Sequence, residues 1–453
     1  MKKSLCILLF LVAVGTGGMV FVGHSLNQSK TDVRVKEKVV YGDAKEAEGL
    51  VVTSRNLGAS GTILWKTRCT LGEKNIEQAE FLTDFSMNSF ESVLQDRERN
   101  NKEEYFYANW GAEGGTRMAE KLEPLLQDSK FSIQSVKLKD YYEYYPVSIR
   151  FSLGNVVMDG TVQLSEKNRE MVSQLERDIA SYFHMEIYED TMVIRKSKDE
   201  QGNTAAEDIS SKGTLSEVFP VDTMASSNAV WFVFSNYSNP LSHSNGLAEK
   251  YVKNLPKGAG VYMLPYTLEG DEIHFQTENI RHVMDFSENM RFQDYAVDEK
   301  AHRIIMRTEK QGKQYLTILS CDTGEKIQEI PLEWEKEEGI ELSCEDDVVL
   351  LRSDNRFMVL EESQGKYERK LDVDSTEKYR ETEDEPVSAA WRDGKLAVLT
   401  DTMKGVYYIF IYDKSGLVYE GKYRESIALK ENWKVDSEGA LQYSGNLDRE
   451  IQW

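Results

Sequence analysis

The sequence is poor in cysteine and proline, with 4 Cys and 8 Pro among its 453 residues. So few cysteines exclude a disulfide-stapled scaffold, and the low proline content, with 30 Gly, excludes collagen-like and low-complexity chains. Long apolar runs are also scarce: one occurs, near the amino terminus, which excludes a polytopic membrane protein. The 40% hydrophobic and 29% charged residues are typical of a folded, soluble body.

Acidic residues outnumber basic ones: the sequence has 77 Asp and Glu but 55 Lys and Arg, which gives a formal net charge of −22. Binding to nucleic acid depends on Lys and Arg side chains that neutralise phosphates, and no basic patch stands out. We therefore expect no nucleic-acid partner. We expect the acidic excess to keep the chain soluble and monomeric.

The amino terminus carries the strongest local signal. Residues 4–23 contain no charged side chain and follow two lysines. About 20 apolar residues cross a hydrocarbon core as a helix, so this segment predicts an uncleaved transmembrane signal anchor. The lysines predict that residues 1–3 stay in the cytoplasm and that the body is extracytoplasmic, at the cell membrane. Residues 13–15, Ala-Val-Gly, have the form of a cleavage site, so a cleaved signal peptide is the alternative.

Three regions follow the apolar segment. Residues 24–48 are polar without apolar periodicity and are predicted to form a stalk. Residues 49–453 are predicted to be a mainly β, propeller-like ectodomain of about six to eight blades. Its blades are expected to be irregular over residues 49–228, where helices are inserted, and regular over residues 229–453.

One inserted helix is well marked by its sequence. Met171, Leu175, Ile179 and Phe183 recur every four residues, which predicts a helix over residues 166–185 with one apolar face. A strand is predicted over residues 186–195. The following polar stretch, residues 196–212, is predicted to be a linker.

The sequence after residue 300 repeats. Apolar strands that begin at Arg303, Val348 and Leu396 are each followed by a second apolar strand, a glycine-containing turn and a third strand. The starts lie 45 and 48 residues apart, a spacing typical of β-propeller blades of four antiparallel strands. Asp393-Gly394 predicts a tight hairpin turn. The last unit is incomplete, and a strand from residues 50–65 is expected to complete it.

The Asp393-Gly394 and Gly416 turns between aliphatic triplets resemble those of β-propeller repeats. Met1-Lys2-Lys3 with the apolar run, and the Gly49–Thr53 and Ile63–Trp65 opening, resemble uncharacterised single-pass envelope-associated proteins of Gram-positive bacteria. That resemblance implies an envelope-associated binding or sensing role. It brings no active-site motif with it.

No catalytic or cofactor motif stands out in the sequence. Six histidines occur, none in a His-Glu-x-x-His pattern, and no nucleophile elbow, Walker loop or dinucleotide fingerprint is present. We therefore predict no catalytic residue, no metal site and no cofactor. Beyond the apolar segment the cysteines are Cys69, Cys321 and Cys344; a Cys321–Cys344 bridge and two buried thiols are both compatible with the spacing.

Aromatic side chains are the remaining candidates for a ligand surface, because aromatic faces supply rigid contact area. The candidates are Tyr141, Tyr142, Tyr144, Tyr145, Trp110 and Tyr237. The sequence thus predicts a membrane-anchored extracytoplasmic protein that binds an unknown protein or glycan through a propeller face and is not an enzyme. The alternatives are a cell-envelope enzyme acting on a polysaccharide and a signalling partner of a transcription regulator.

Overall fold

The computed structural model describes 22 stretches of the chain and single residue 12, from position 12 to position 453. The described residues are 12, 15–18, 33–57, 63–72, 78–83, 107–112, 115–125, 131–153, 156–158, 166–184, 186–187, 191–198, 204–209, 221–235, 255–269, 272–287, 289–334, 339–345, 348–353, 356–374, 386–402, 406–427 and 445–453.

The chain divides into two compact units, each built from discontinuous segments. The first contains Met1–Lys102, Val348–Glu361 and Glu368–Trp453. The second contains Glu103–Asp347 and Glu362–Tyr367.

The first unit contains a five-stranded antiparallel sheet that combines the last regular repeat with a strand from the amino terminus. In sheet order its strands are β1 (Val33–Gly42), β27 (Gly416–Ile427), β26 (Val406–Asp413), β25 (Lys395–Thr402) and β24 (Pro386–Arg392). The predicted Asp393-Gly394 turn joins β24 to β25, with φ of 51° and 81°. Positive φ at both central residues matches the right-handed twist of a hairpin.

A second sheet of this unit pairs the two ends of the chain. In order its strands are β28 (Gly445–Gln452), β2 (Val51–Leu57), β3 (Ile63–Thr70) and β4 (Gln78–Thr83). The last strand therefore pairs antiparallel with the strand at residues 51–57, with Val52 opposite Ile451. The predicted pairing between the carboxy-terminal region and residues 50–65 is confirmed, although it is the amino-terminal sheet that gains a strand.

Another meander of the regular repeat consists of β21 (Val348–Ser353), β22 (Arg356–Ser363) and β23 (Lys366–Asp374). The core of the first unit lies between such strands. Residues 396–399 of β25 and 409–412 of β26 are at most 1% exposed. Their side chains are apolar on both strand faces, as expected for strands covered on both sides.

The second unit contains the remaining regular sheets. One is a four-stranded antiparallel meander of β16 (Met290–Asp298), β17 (Arg303–Lys310), β18 (Lys313–Ser320) and β19 (Lys326–Leu332). The other is formed by β11 (Val221–Ser226), β12 (Ala229–Phe234), β13 (Gly260–Glu269), β14 (Glu272–Phe275) and β15 (Arg281–Asp285), with both β14 and β15 paired to β13.

Two three-stranded sheets and two helices precede these sheets in the chain. One sheet has β5 (Tyr107–Ala112), β7 (Val147–Leu153) and β8 (Val156–Met158); the other has β10 (Thr204–Asp208), β9 (Thr191–Lys198) and β6 (Phe131–Lys137). The helices are α1 (Gly115–Leu122) and α2 (Glu166–Tyr182). Helix α1 packs against β10, and α2 packs against β7. The predicted apolar face of α2 is confirmed, because Leu175, Ile179 and Phe183 are at most 2% exposed.

The first strands of successive sheets contact one another in the second unit. Strand β11 contacts β5 and β16, and β16 contacts the strand β20 (Glu341–Glu345). In the first unit β24 likewise contacts β28.

Two local expectations differ from the structure, and one open alternative is decided by it. The predicted stalk contains β1, which pairs with β27 from Val33 to Gly42, because an edge strand needs little apolar periodicity to form a ladder. The predicted linker contains the end of β9 and all of β10, where exposed polar residues occupy one face. Of the two arrangements left open for the cysteines, the Cys321–Cys344 bridge is not formed, because none of Cys69, Cys321 and Cys344 is in a disulfide.

Among the described residues, none belongs to a helix with the length and apolar character needed to cross a bilayer. Most of the predicted anchor, residues 4–23, lies outside the described part of the chain. The anchor therefore stays a prediction.

Candidate interaction surface

The predicted tyrosine surface is divided between solvent and core. Tyr141 is 46% exposed, whereas Tyr145 is 2% exposed and belongs to the hydrophobic core of the second unit. Tyr142 and Tyr144 are partly buried against that core. A short 3₁₀ turn ends at Tyr141, whose backbone N–H donates to the Leu138 carbonyl at 3.0 Å. Of these four tyrosines, Tyr141 alone offers a large exposed area.

Two further predicted residues lie elsewhere. Trp110 is part of β5, where its backbone pairs with Ile149 of β7, and its side chain is outside the described part. Tyr237 lies outside the described residues. Neither residue is brought together with Tyr141 by the described structure.

The strand before Tyr141 exposes two large apolar side chains. Phe131 is 61% exposed and Ile133 is 54% exposed, and both lie on the same face of β6. Strand β6 pairs with β9 along one edge, and no described strand pairs with its other edge. We call Phe131, Ile133 and Tyr141 the β6 surface.

The exposed face continues onto the next two strands, where it becomes polar. Ile133 lies opposite Arg195, and Phe131 lies opposite Ser197. Arg195 forms an ion pair with Glu207 of β10, and this contact holds the pKa of the Glu207 carboxyl below its usual value. The apolar residues of β6 are thus bordered by a charged pair on the same face of the sheet.

The opposite face of this sheet is held by buried contacts. Lys196 of β9 is 3% exposed, and its Nζ lies 2.5 Å from Oε1 of Glu123. Ile194 and Met192 on the same face are buried in the hydrophobic core. Such a charge is tolerated inside a protein when it is paired. The buried face of this sheet is therefore fixed to the core, while Phe131 and Ile133 on the other face are exposed.

The sequence contained a signal for this surface that the prediction did not use. In β6 the outward positions hold Phe131 and Ile133, whereas the inward positions beside them hold Ser132 and Gln134. A strand with one buried face ordinarily shows the reverse pattern, with apolar side chains inward. Large apolar side chains on the solvent-facing side of a strand indicate an interaction surface.

A row of carboxylates lies on the first strands of the second unit. Asp222 is on β11, Asp294 is on β16 and Glu341 is on β20. Desolvation raises the pKa of the Asp222 carboxyl, although part of its side chain reaches solvent.

Asp294 is the most constrained member of this row. Arg307 donates from Nε to Oδ1 at 2.8 Å and from Nη2 to Oδ2 at 3.2 Å, and Nη2 also donates to the Ile340 carbonyl at 3.0 Å. Desolvation raises the pKa of the Asp294 carboxyl, while Arg307 opposes the rise and the charge of Glu341 adds to it. Arg307 thus ties β16 to the segment that enters β20.

Within the described residues, no group of three or more His, Cys, Asp or Glu side chains has the arrangement needed to hold a metal ion. Cys321 is 1% exposed, and its burial raises the pKa of the thiol to about 12. A thiol in this state is a poor nucleophile at neutral pH.

Comparisons with known proteins match solved structures at low sequence identity and no family model or curated protein. No protein-family model matches the chain, and no curated protein matches it. Among solved structures the chain is similar to a prolyl endopeptidase at 8% identity and a TM-score of 0.25. The match covers 83% of this chain and spans 43% of the endopeptidase.

Two β-propeller structures are matched over most of their length. The WD40 domain of SCAP from fission yeast has 7% identity and a TM-score of 0.24, with 85% of this chain and 78% of that domain covered. TolB from Acinetobacter baumannii has 10% identity and a TM-score of 0.23, with 89% of this chain and 83% of TolB covered. At such values neither the enzyme nor the other proteins indicate what this chain does.

Proposed function

We propose that this chain is a non-catalytic binding module of the cell envelope, with a propeller-type body that engages an extended protein segment through the β6 surface. The partner adds a strand to the edge of β6 opposite β9 and covers Phe131 and Ile133 with its own apolar side chains. Tyr141, which follows β6 after the 3₁₀ turn Leu138–Asp140, adds aromatic contact area.

A single observation carries this proposal: among the described strands none pairs with the edge of β6 opposite β9, and two large apolar side chains of β6 are more than half exposed. Natural edge strands are ordinarily protected by charges, proline or bulges, because an open apolar edge invites pairing with another chain. Recognition by strand addition takes affinity from main-chain hydrogen bonds and specificity from alternate side chains. Strand β6 offers both.

The propeller-type body is supported by the regular meanders of the chain. The four strands β16 to β19 and the four strands β24 to β27 follow one another in sequence order within their sheets. First strands contact each other within each unit, and the last strand of the chain joins the sheet of β2. A rigid body of stacked sheets would hold the inserted β6 sheet in a fixed orientation.

The proposal includes an anchor formed by residues 4–23, which would keep the module at the membrane with its body outside the cell. Cell fractionation tests this part separately. Full-length chain in the membrane fraction is the expected result, and a shortened soluble form in the medium would contradict the anchor.

Selection from a library of random 12-residue peptides, with the full-length chain as target, tests the binding function. We expect selected peptides to share alternating apolar residues and to lose at least about tenfold in affinity when Phe131→Asn and Ile133→Asn are combined. The matched control is the double change Val39→Asn and Val40→Asn, which alters an exposed apolar pair on β1 and should leave affinity unchanged.

Hydrogen exchange with a bound peptide locates the contact. Slower exchange of β6 backbone amides supports strand addition. Peptides that bind equally well to the Phe131→Asn, Ile133→Asn variant, or that leave β6 amides unaffected, would contradict it.

The carboxylate row favours one second candidate, an enzyme that cleaves a cell-envelope polysaccharide. Asp294 and Glu341, whose charges interact where β16 contacts β20, would be the carboxylate pair. Reducing sugar released from purified cell-wall polysaccharide, and lost on Asp294→Asn or Glu341→Gln, would favour this candidate. Release that survives both changes would exclude this pair as its catalytic centre.

A further inference from the structure

We propose that β1 is a releasable strap: residues 33–41 separate from β27 as a unit and pivot at Gly42, while the rest of the first unit stays folded. This property concerns the first unit and does not depend on the β6 surface.

Strand β1 is additional to a complete sheet. Strands β24 to β27 form a four-stranded meander of the same kind as β16 to β19, and β1 is a fifth strand at its edge. Removal of β1 therefore leaves a sheet that resembles the other regular repeats. The core strands β25 and β26 are separated from β1 by β27.

Little apolar surface holds β1 in place. Residues 36–42 are all exposed, and they include Val39 and Val40 at 43% and 45% exposure. Val35 packs against the core as a partly buried residue. The register also shifts between Val39 and Tyr41, a bulge that interrupts the ladder with β27.

The pivot is set by Gly42. Its φ is +76°, and a Cβ at this position would lie 1.9 Å from the Val418 carbonyl oxygen. Glycine is required there because other residues adopt this backbone conformation only with strain and none could avoid that oxygen. The backbone can turn at this position at low cost.

The chain is firmly anchored directly after the pivot. Asp43 caps a short 3₁₀ turn by accepting from the Lys45 backbone N–H at 3.0 Å. Ala47 and Leu50 are 1% and 0% exposed. Motion of β1 would therefore stop at Gly42, since the following residues belong to the core.

One specific contact fastens the middle of the strap. The Glu37 carboxylate accepts a hydrogen bond from Tyr419 Oη at 2.7 Å and another from Tyr423 Oη at 3.3 Å. Gly421 lies beneath both rings, because a Cβ there would come within 2.2 Å of the Tyr419 hydroxyl oxygen. Its missing side chain lets the two hydroxyls meet at Glu37.

The last strand of the chain is held independently of this contact. Arg449 of β28 is 1% exposed, donates to Ser54 Oγ at 2.9 Å and lies 4.3 Å from the centre of the Tyr407 ring. None of these atoms belongs to β1. Loss of the Glu37 contact should therefore loosen β1 and leave β28 in place.

Hydrogen exchange of the full-length protein, resolved by mass spectrometry of peptide fragments, tests the strap. We expect β1 amides to exchange at least about tenfold faster than those of β25 and β26. Glu37→Ala should accelerate amide exchange in β1 by a further factor of about three to ten. Exchange in β25, β26 and β28 should be unchanged. Tyr423→Phe is a second variant with the same expected direction.

The matched control is Lys38→Gln, because Lys38 neighbours Glu37 on the opposite face of β1 and its side chain is exposed. It should leave exchange in β1 unchanged. The strap is overturned if β1 exchanges at the rate of β25 and β26, or if Glu37→Ala accelerates all strands of the first unit together.

Discussion

Strands β1 and β28 come from opposite ends of the described chain, and each pairs with a sheet whose other strands come from the other end. Their ladders are similar, but their burial is not. Ile451 and Arg449 of β28 are 3% and 1% exposed, whereas Val39 and Val40 of β1 are 43% and 45% exposed.

The difference in burial follows from the number of strands that each terminal strand contacts. Strand β28 pairs with β2 and also contacts β24 and β25, so its side chains are covered on more than one side. Strand β1 has β27 as its one paired neighbour among the described strands. Backbone pairing contributes modestly to stability, because the same groups bond to water when the strand is released. Burial of side chains therefore decides which terminal strand is firmly fixed.

The largest expected effect is that of Ile451→Ala. Removing the buried side chain loses transfer free energy and leaves a cavity, so the free energy of unfolding should fall by about 3 kcal/mol. Urea denaturation followed by tryptophan fluorescence measures it. A loss below about 1 kcal/mol would show that β28 is no better fixed than an edge strand.

Arg449→Gln should have the next largest effect. It removes a guanidinium stacked on Tyr407 and bonded to Ser54, for an expected loss of about 2 kcal/mol. The control is Arg424→Gln, at an exposed position of β27, which should change stability by less than about 0.5 kcal/mol. Equal effects of the two changes in urea denaturation would contradict a specific role for the buried arginine.

Tyr423→Phe should lower the free energy of unfolding by less, about 1 kcal/mol at neutral pH, because one hydroxyl contact is lost while the ring remains. Burial raises the pKa of Tyr419 and of Tyr423 above the ordinary value of 10.0. Hydroxyls in the unfolded chain ionise near pH 10 while the folded ones stay protonated, so stability is lost as pH rises past about 10.

Tyr423→Phe removes one of these two groups, so stability should decline less steeply above about pH 10 than in the unchanged protein. Urea denaturation at about pH 8 and about pH 10.5 measures the two slopes. The same slope in both proteins would mean that Tyr423 ionises equally in the folded and unfolded states.

The smallest expected effect is that of Val39→Ala on β1. Its side chain is largely exposed, so the free energy of unfolding should change by less than about 0.5 kcal/mol. Urea denaturation next to Ile451→Ala gives the comparison directly. A loss approaching that of Ile451→Ala would remove the distinction between the two terminal strands.

Sequence patterns located elements that carry their own periodicity. The helix at Glu166–Tyr182 and the strands of the three regular repeats were predicted, because apolar side chains recur there at the helical or strand period. Positions that depend on distant partners were not found. Strand β1 was predicted to be part of a stalk, and its partner β27 lies almost 400 residues away in the chain.

The candidate surface was located in part. Tyr141 was among the predicted residues and is exposed, but Tyr145 from the same cluster is a core residue. Phe131 and Ile133 were not among the predicted surface residues. Composition could not separate these cases, since the same aromatic and aliphatic side chains serve cores and contact surfaces alike.

The sequence by itself determined that the chain is mainly β and that its last third repeats a four-strand pattern. It also determined that acidic residues outnumber basic ones and that cysteines are few. These properties follow from local periodicity and composition, which act over a few residues. Only the tertiary structure decided which terminal strand is buried, which face of β6 meets solvent and which carboxylates are desolvated. Those outcomes depend on neighbours brought together from distant parts of the chain, and no local pattern specifies which neighbours they are.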